Sequence, residues 1–148
     1  MVPSHDWDVV YLDLDDFYLA ATEALNLDLT TVRSITDETL AGSALAAPAA
    51  GFGDFEQYPD FSTKVAVLIQ AVASNHVLPD GNKRTSLLCA IYFARVNGFR
   101  WIEPVADDPD GADTAEVIES VAARTIPFEA LTAWVEERLE PVAPPDPS

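Results

Sequence analysis

The chain has 148 residues, 49% of them hydrophobic, and it is strongly acidic, with 25 Asp and Glu against eight Lys and Arg for a formal net charge of −17. This length and hydrophobic content predict one compact domain and argue against overall disorder. So much negative charge repels phosphate backbones and anionic membrane surfaces, so we expect no direct binding to nucleic acid or lipid.

No stretch of the sequence resembles a targeting or membrane segment. The N-terminal stretch lacks a basic region, and no run of about eighteen apolar residues occurs. The single cysteine, Cys89, lies among apolar residues, so it is predicted to fill the core and cannot form an internal disulfide. The sequence therefore predicts a cytoplasmic protein without an export signal or a membrane span.

The first half of the chain predicts short helices followed by an irregular segment. Residues 9–12 could form a brief strand, and a capping signal at Asp13 predicts a helix that ends near Leu25. A second helix is predicted over residues 36–46. The Gly, Pro and aromatic residues of 46–61 predict an exposed loop or a small hairpin.

The second half contains two helices that are apolar on most of their circumference, which is typical of helices in the middle of a domain. They are predicted over residues 61–75 and 82–97. We then expect a short strand over residues 99–102 and an acidic loop over 103–113. Two more helices are predicted over 114–124 and 127–139, followed by a disordered tail over 140–148.

The two apolar helices are joined by HVLPDGNKR, which clusters polar residues at one helix N-terminus. These residues are His76, Asp80, Gly81, Asn82, Lys83 and Arg84. Free N–H groups and the macrodipole at such an end bind anions, and glycine supplies the backbone freedom that a phosphate cradle requires. The macrodipole disfavours cations at a helix start unless an anion is present, so the paired basic residues indicate a phosphate site.

Each residue type suits the transfer of a phosphate-containing group to an alcohol. Lys83 and Arg84 would neutralise phosphoryl oxygens, and Asn82 could donate hydrogen bonds to them. Asp80 offers a hard oxygen ligand for Mg²⁺, which bridges phosphates. His76 is then the candidate general base for an incoming hydroxyl.

The same residues also have ordinary structural interpretations. A histidine at a helix end is more often a capping or hydrogen-bonding residue than a catalyst, and Asp-Gly is an ordinary turn. Asn82 alone is an ordinary N-cap, and Lys83 and Arg84 could each belong to a solvated first turn. One histidine and one aspartate are too few ligands for structural zinc. Their joint spacing favours the phosphate site.

At these residues the sequence resembles the Fic/Doc superfamily. HVLPDGNKRTS is similar to the family's His-x-Phe-x-Asp/Glu-x-Asn-x-Arg loop, and Lys-Arg-Thr after Asn82 is typical of the Doc (death-on-curing) branch. YLDLDD, FGDFEQYPDF and ARVNGF also resemble stretches of Doc-like toxins, so the resemblance covers about residues 10–139. It implies an all-α fold, a small helical bundle with a short flap hairpin before the motif helices, within a single domain over 1–139.

The resemblance also implies an activity. Doc-like toxins use ATP and Mg²⁺ to phosphorylate a threonine of elongation factor Tu and block translation, and a partner antitoxin with a disordered tail restrains them. By resemblance, His76 takes the proton from the target hydroxyl, Asp80 holds Mg²⁺, and residues 51–58 form the flap that aligns the target. The nucleotide phosphates would be gripped by Gly81, Asn82, Lys83 and Arg84.

The chain departs from the family pattern in places. Leu78 stands where the family usually has Phe, and Leu87 stands where AMP-transferring members have a second Arg, which favours phosphate transfer. The family's inhibitory motif is Ser/Thr-x-x-x-Glu-Gly/Asn. Ser34 and Glu38 have its spacing, but Thr39 stands where the motif requires Gly or Asn. We therefore expect inhibition by a separate antitoxin. The alternatives are an AMP-transferring Fic enzyme and a catalytically silent domain that binds its antitoxin.

Overall fold

A computed structural model of the protein describes residues 7–103 and 112–142, and within them helices dominate. The elements in chain order are α1 (Leu14–Leu25), α2 (Leu29–Ile35), α3 (Glu38–Ala46), β1 (Gly51–Phe52), β2 (Phe55–Glu56), α4 (Phe61–Ser74), α5 (Asn82–Val96), β3 (Phe99–Trp101), α6 (Ala112–Ala122), α7 (Phe128–Glu136) and β4 (Leu139–Pro141). A 3-10 turn, Ala47–Ala49, connects α3 to β1. The predicted helical bundle with a flap hairpin, β1–β2, is confirmed.

Aspartates begin the first three helices. Asp13 and Asp16 form a reciprocal capping box at α1, with each carboxylate accepting the other residue's backbone N–H at 2.9 Å. The hydrogen bond from the Asp16 backbone lowers the pKa of Asp13. Asp28 caps α2 and Asp37 caps α3 in the same way, each through the N–H three residues on. The capping signal read at Asp13 therefore gives the correct start of α1.

The second predicted helix is confirmed, and a helix before it was missed. The helix expected over residues 36–46 is α3, which begins at Glu38 and ends at Ala46 as predicted. The preceding helix α2 was not predicted, and Thr36 in an extended conformation and the cap Asp37 separate it from α3. The sequence analysis missed α2 because its β-branched residues have modest helix propensity. Its cap at Asp28 is the signal that could have revealed it.

Helices α4 and α5 form the centre of the domain, as predicted. α1 packs against α5, while α6 and α7 pack against α4. The Phe61 ring of α4 lies 5.0 Å from Phe93 of α5 and 4.9 Å from Phe99 of β3, measured between ring centroids. A hydrogen bond from the Tyr92 hydroxyl to Glu23 links α5 to α1 and raises the pKa of Tyr92 to about 12. The two helices that carry the motif therefore stand on the most buried part of the structure.

The brief strand expected over residues 9–12 is absent. Asn97, at the end of α5, takes the place of a strand partner: its Oδ1 accepts the Val10 N–H at 2.9 Å and its Nδ2 donates to the Val10 carbonyl at 2.8 Å. One side chain thus satisfies the backbone groups that would otherwise need a second strand.

The C-terminal segment is more ordered than predicted. β3 pairs antiparallel with β4, placing Arg100 opposite Glu140 and Trp101 opposite Leu139. Residues 140 and 141, which were assigned to the disordered tail, therefore lie in a strand, and α7 ends at Glu136 rather than near 139. The rest of that tail, residues 143–148, and most of the acidic loop, residues 104–111, lie outside the described residues.

No helix in the described part of the chain is long and apolar enough to cross a bilayer. The core position predicted for Cys89 is confirmed, since the side chain is fully buried in α5.

Burial raises the pKa of the Cys89 thiol to about 12. Because the thiolate is the reacting species, we predict that Cys89 in the native protein does not react with Ellman's reagent at pH 8, and that it reacts stoichiometrically once guanidinium chloride unfolds the chain. The denatured sample is the control, and rapid labelling of the native protein would contradict this burial.

Candidate functional site

The loop between α4 and α5, residues 75–81, is tied to the body of the protein at several points. Val77 and Leu78 are buried, at 1% and 2% exposure. The Val77 carbonyl accepts the backbone N–H of Asp37 at 2.8 Å. Leu78 therefore fills the core position at which the family pattern has Phe, and the loop is anchored despite the substitution.

Asn82 closes this loop into a ring. Its Oδ1 accepts the Leu78 N–H at 2.9 Å, and its Nδ2 donates to the Leu78 carbonyl at 2.8 Å. The amide was expected to donate to a phosphate or to act as an N-cap. In the structure it instead shapes the loop, and Gly81 occupies the N-cap position of α5.

His76 projects from the loop into solvent. It is exposed, and its backbone adopts the left-handed conformation with φ 54°, which is uncommon for a residue other than glycine and costs free energy. Within the described residues the imidazole makes no hydrogen bond or ion pair. Buried residues on both sides of it, Ser74 and Val77, hold this backbone in place. Both ring nitrogens are thus available to an approaching group.

The N-terminus of α5 differs from those of α1, α2 and α3 because no side chain caps it. Gly81 has φ 83° there, and a Cβ on it would lie 2.0 Å from Leu25 Cδ2 of α1. The positive φ favours glycine here, and any larger residue would also force the Leu25 side chain to move. The first backbone hydrogen bond of the helix runs from Thr85 N to Gly81 O at 3.0 Å, so the N–H groups of residues 82–84 remain open to an anion.

The two cations of this first turn are exposed. Lys83 Nζ lies 2.5 Å from Glu119 Oε2 of α6, and the two side chains are 49% and 65% exposed. Exposed pairs of this kind contribute little free energy, so a phosphate can displace the carboxylate at small cost. Arg84 makes no ion pair with any residue that the structure describes. Both cations are therefore available for a ligand.

A groove of about 460 Å³ runs from these cations between α5 and α6. Lys83 and Arg84 stand at one end, while Leu87 and Ile118 supply apolar walls. Leu87, which the sequence analysis discussed only as a missing arginine, thus forms part of a ligand-sized surface.

Asp80 is exposed beside the start of α5 and makes no hydrogen bond or ion pair among the described residues. No cluster of three or more metal-ligating side chains occurs in the described residues. A single carboxylate does not make a structural metal site. It does fit Mg²⁺, which keeps several waters and takes its other ligands from substrate phosphates.

The flap hairpin, β1–β2, precedes α4, the helix that leads into the loop. Phe52 and Phe55 are paired across it, with ring centroids 5.5 Å apart and with 79% and 59% of their surfaces exposed. Tyr58, just after the hairpin, lines a cavity of about 490 Å³ together with Asn75 and Arg124. Since Asn75 precedes His76, this cavity lies next to the loop that carries the candidate base.

Sequence reasoning found the loop residues but missed their neighbours on α6 and just after it. Glu119 and Ile118 line the groove. The Arg124 guanidinium donates a hydrogen bond to the carbonyl of Ser74, the last residue of α4, at 3.2 Å. Glu119 stands 36 residues from Lys83 along the chain, and no local pattern in the sequence indicates that pairing.

We predict that Asn82→Ala loosens the loop, because it leaves the Leu78 N–H and carbonyl without partners. The free energy of unfolding should fall by about 1–3 kcal/mol in a denaturant titration, and the Leu78 amide should exchange faster with solvent. Asn75→Ala is the matched control, since that side chain makes no such ring. Equal stability of the two variants would contradict this role for Asn82.

Comparison with known proteins agrees with this geometry. The family model described as Fic/DOC family matches residues 11–94, which include α1 to α4, the loop and most of α5. "Toxin Doc" of Mycolicibacterium smegmatis is 32% identical over 123 residues, covering 83% of this chain and 88% of that protein. "Protein kinase doc" of Escherichia phage P1 is 35% identical over 74 residues, covering 49% of this chain and 59% of that protein.

No solved structure matches the chain significantly. The family model covers more than half of the chain, and the Mycolicibacterium relative spans most of both proteins. Together with the loop that carries His76 and the open start of α5, these matches show that the chain belongs to the Fic/DOC family, in its Doc branch.

Proposed function

We propose that the protein is a Doc-like toxin that transfers a phosphate group from ATP to a hydroxyl of a target protein, a threonine of elongation factor Tu, and thereby blocks translation. The observation that carries the proposal is the uncapped start of α5, where the exposed Lys83 and Arg84 follow directly on the loop that carries the exposed imidazole of His76. The names of the two relatives, a toxin and a protein kinase, support the same activity.

In this proposal the start of α5 binds the phosphates of ATP. The N–H groups of residues 82–84 point along the helix axis and carry its positive end, while Lys83 and Arg84 add two charges close to them. In a chain of net charge −17, these charges offset the repulsion that a nucleotide would otherwise meet. The role of Asn82 is to hold the loop that shapes this cradle.

His76 acts as the general base. Its imidazole accepts the proton of the target hydroxyl as the oxygen attacks the γ-phosphorus of ATP. The new O–P bond forms while the bond from phosphorus to the bridging oxygen breaks, and ADP leaves with its electron pair. The anchored loop fixes the backbone of His76, and the target segment must bring its hydroxyl to the imidazole.

Asp80 would hold Mg²⁺ at this site. Bound there with phosphate oxygens, the ion would neutralise charge on the nucleotide. Because Asp80 makes no competing contact among the described residues, its carboxylate can take this role without breaking another interaction.

Leu87 favours phosphate transfer over AMP transfer. AMP-transferring relatives are expected to use an arginine at this position, whereas Leu87 gives the groove an apolar wall. A nucleotide that presents its γ-phosphate to the target would place its phosphates at Lys83 and Arg84, where this chain has its positive charge.

We predict that His76→Ala abolishes transfer and leaves ATP affinity nearly unchanged, whereas the double variant Lys83→Ala/Arg84→Ala weakens ATP binding itself. The reason is that the base acts on the target hydroxyl, while the cations contact the phosphates. Intact mass of elongation factor Tu, after incubation with the variant and ATP·Mg²⁺, measures transfer. Calorimetric titration with ATP·Mg²⁺ measures binding.

Arg95→Ala is the control for the cations, since Arg95 is exposed near the far end of the same helix, where it stacks on Tyr92. A mass increase of one phosphate group supports the proposal, and an increase of one AMP group supports the alternative. Full transfer by His76→Ala would refute its role as the base.

We also propose that a separate antitoxin restrains the protein in the cytoplasm. Ser34 lies in α2 and Glu38 begins α3, with an extended break between them, so the two do not form one inhibitory helix. A disordered tail of the antitoxin would fold onto the bundle, and the DNA-binding half of the antitoxin would carry the basic charge that this acidic chain lacks.

Expression in cells tests this partner. We predict that the chain alone arrests growth, because free toxin modifies its target, and that co-expression with the small reading frame beside its gene restores growth. The His76→Ala variant is the control and should be harmless in both cases. Growth arrest that persists with the second gene would contradict inhibition by that partner.

A further inference from the structure

Lys64 is a lysine that the fold buries completely. It lies at the end of the first turn of α4, with 0% exposure, in a stretch of otherwise small or apolar residues. A buried ammonium is costly, and a cation near a helix N-terminus also opposes the macrodipole. An apolar side chain would fill this core position without the cost of a buried charge. The contacts that Lys64 makes with its ammonium group must therefore offset that cost.

Lys64 contacts both the flap hairpin and the segment that leads into it. Lys64 Nζ donates to the carbonyl of Pro48, just before β1, at 3.1 Å, and it pairs with Oε2 of Glu56, in β2, at 2.9 Å. The ammonium also lies 5.5 Å from the centre of the Tyr11 ring. The partners that offset its burial therefore belong mainly to the flap and its approach.

The burial makes this contact hard to break. If the hairpin moved away, Lys64 would lose the Glu56 carboxylate and keep only the Pro48 carbonyl and the Tyr11 ring as partners, which leaves its charge poorly compensated. The hairpin itself is short, with two residues in each strand, and Gln57 N to Ala50 O at 2.9 Å closes its base. So small a hairpin needs an external anchor to keep one position.

Lys64 lies on α4, the same helix that leads to the candidate base His76. From Lys64 to Ser74 α4 is continuous, about 15 Å at 1.5 Å per residue, and His76 follows two residues later. At the far end the Arg124 guanidinium binds the Ser74 carbonyl. A rigid helix thus separates the flap contact from His76 by a fixed distance.

We propose that Lys64 is a positioning residue, which holds the flap hairpin through Glu56 at a fixed place relative to His76. The consequence for turnover rests on the proposed function, since the flap is where a target segment would be aligned. The hold on the hairpin itself does not depend on any activity.

The first experiment measures the hairpin directly, by hydrogen exchange of the Gln57 amide followed by NMR. Glu56→Gln removes the charge from the partly exposed side of the pair and leaves the core composition unchanged. We expect the Gln57 amide to exchange at least about tenfold faster in this variant, because the hairpin opens more often. Asp54→Asn, which removes a carboxylate from the tip of the same hairpin, is the matched control and should change nothing.

Lys64→Met tests the other partner and should give the same increase in exchange at Gln57. If this variant does not fold, Glu56→Gln alone decides the question.

The second experiment measures transfer to elongation factor Tu. In Glu56→Gln, kcat/KM for the target should fall by about 10-fold to 100-fold, because the acceptor hydroxyl is less often aligned with the base. ATP affinity should stay within about twofold, since the cradle on α5 is untouched. A purely structural role for the pair would lower folded protein and both parameters alike.

Unchanged exchange at Gln57 in Glu56→Gln would overturn the proposal, as would faster exchange with undiminished transfer. If the wild-type protein transfers nothing to elongation factor Tu, the proposed function fails, and the exchange of Gln57 still decides whether Lys64 holds the hairpin.

Discussion

The ring formed by the Asn82 amide and the Leu78 backbone is the interaction on which the site depends. Its two hydrogen bonds fix the turn between the helices and so set the position of the start of α5 relative to the end of α4. Gly81 lies inside this ring, and it is the residue that allows α1 to approach so closely. The helices themselves are held by core packing, so the loop inherits their rigidity. A flexible loop with the same residues could not keep a base and a phosphate cradle at a constant separation.

The scarcity of positive charge makes each cation informative. Two of the eight are buried: Lys64 faces the flap, and Arg138 lies against Trp134 and pairs with Asp113, joining α7 to α6. Two others, Lys83 and Arg84, occupy the open start of α5. Placing cations there is unfavourable for the helix alone, whereas the first three helices begin with aspartate in agreement with the macrodipole. The start of α5 therefore differs from these three capped starts both in lacking a side-chain cap and in carrying cations.

Helix α4 connects the two halves of the candidate mechanism. Its first turn contacts the flap, its middle packs in the core, and its last residue leads into the loop that carries His76. The flap presents the exposed rings of Phe52 and Phe55, which a folded monomer does not require for its own core. The same helix can thus relate the position of a bound target segment to the position of the base. The groove beside Leu87 lies on the other motif helix, α5.

Local signals in the sequence determined most of the helices and the residues of the loop. The caps, the long apolar helices and the PDGN turn depend on neighbours within a few residues, and these are visible in a sequence. Residues 9–12 and strand β4 were misread because their partners, Asn97 and β3, lie far away in the chain. For the same reason only the tertiary structure decided that Lys83 faces Glu119, 36 residues away along the chain. Lys64 and Glu56 are close in sequence, but their ion pair forms because the hairpin folds back onto α4, and no helix or strand spacing encodes it.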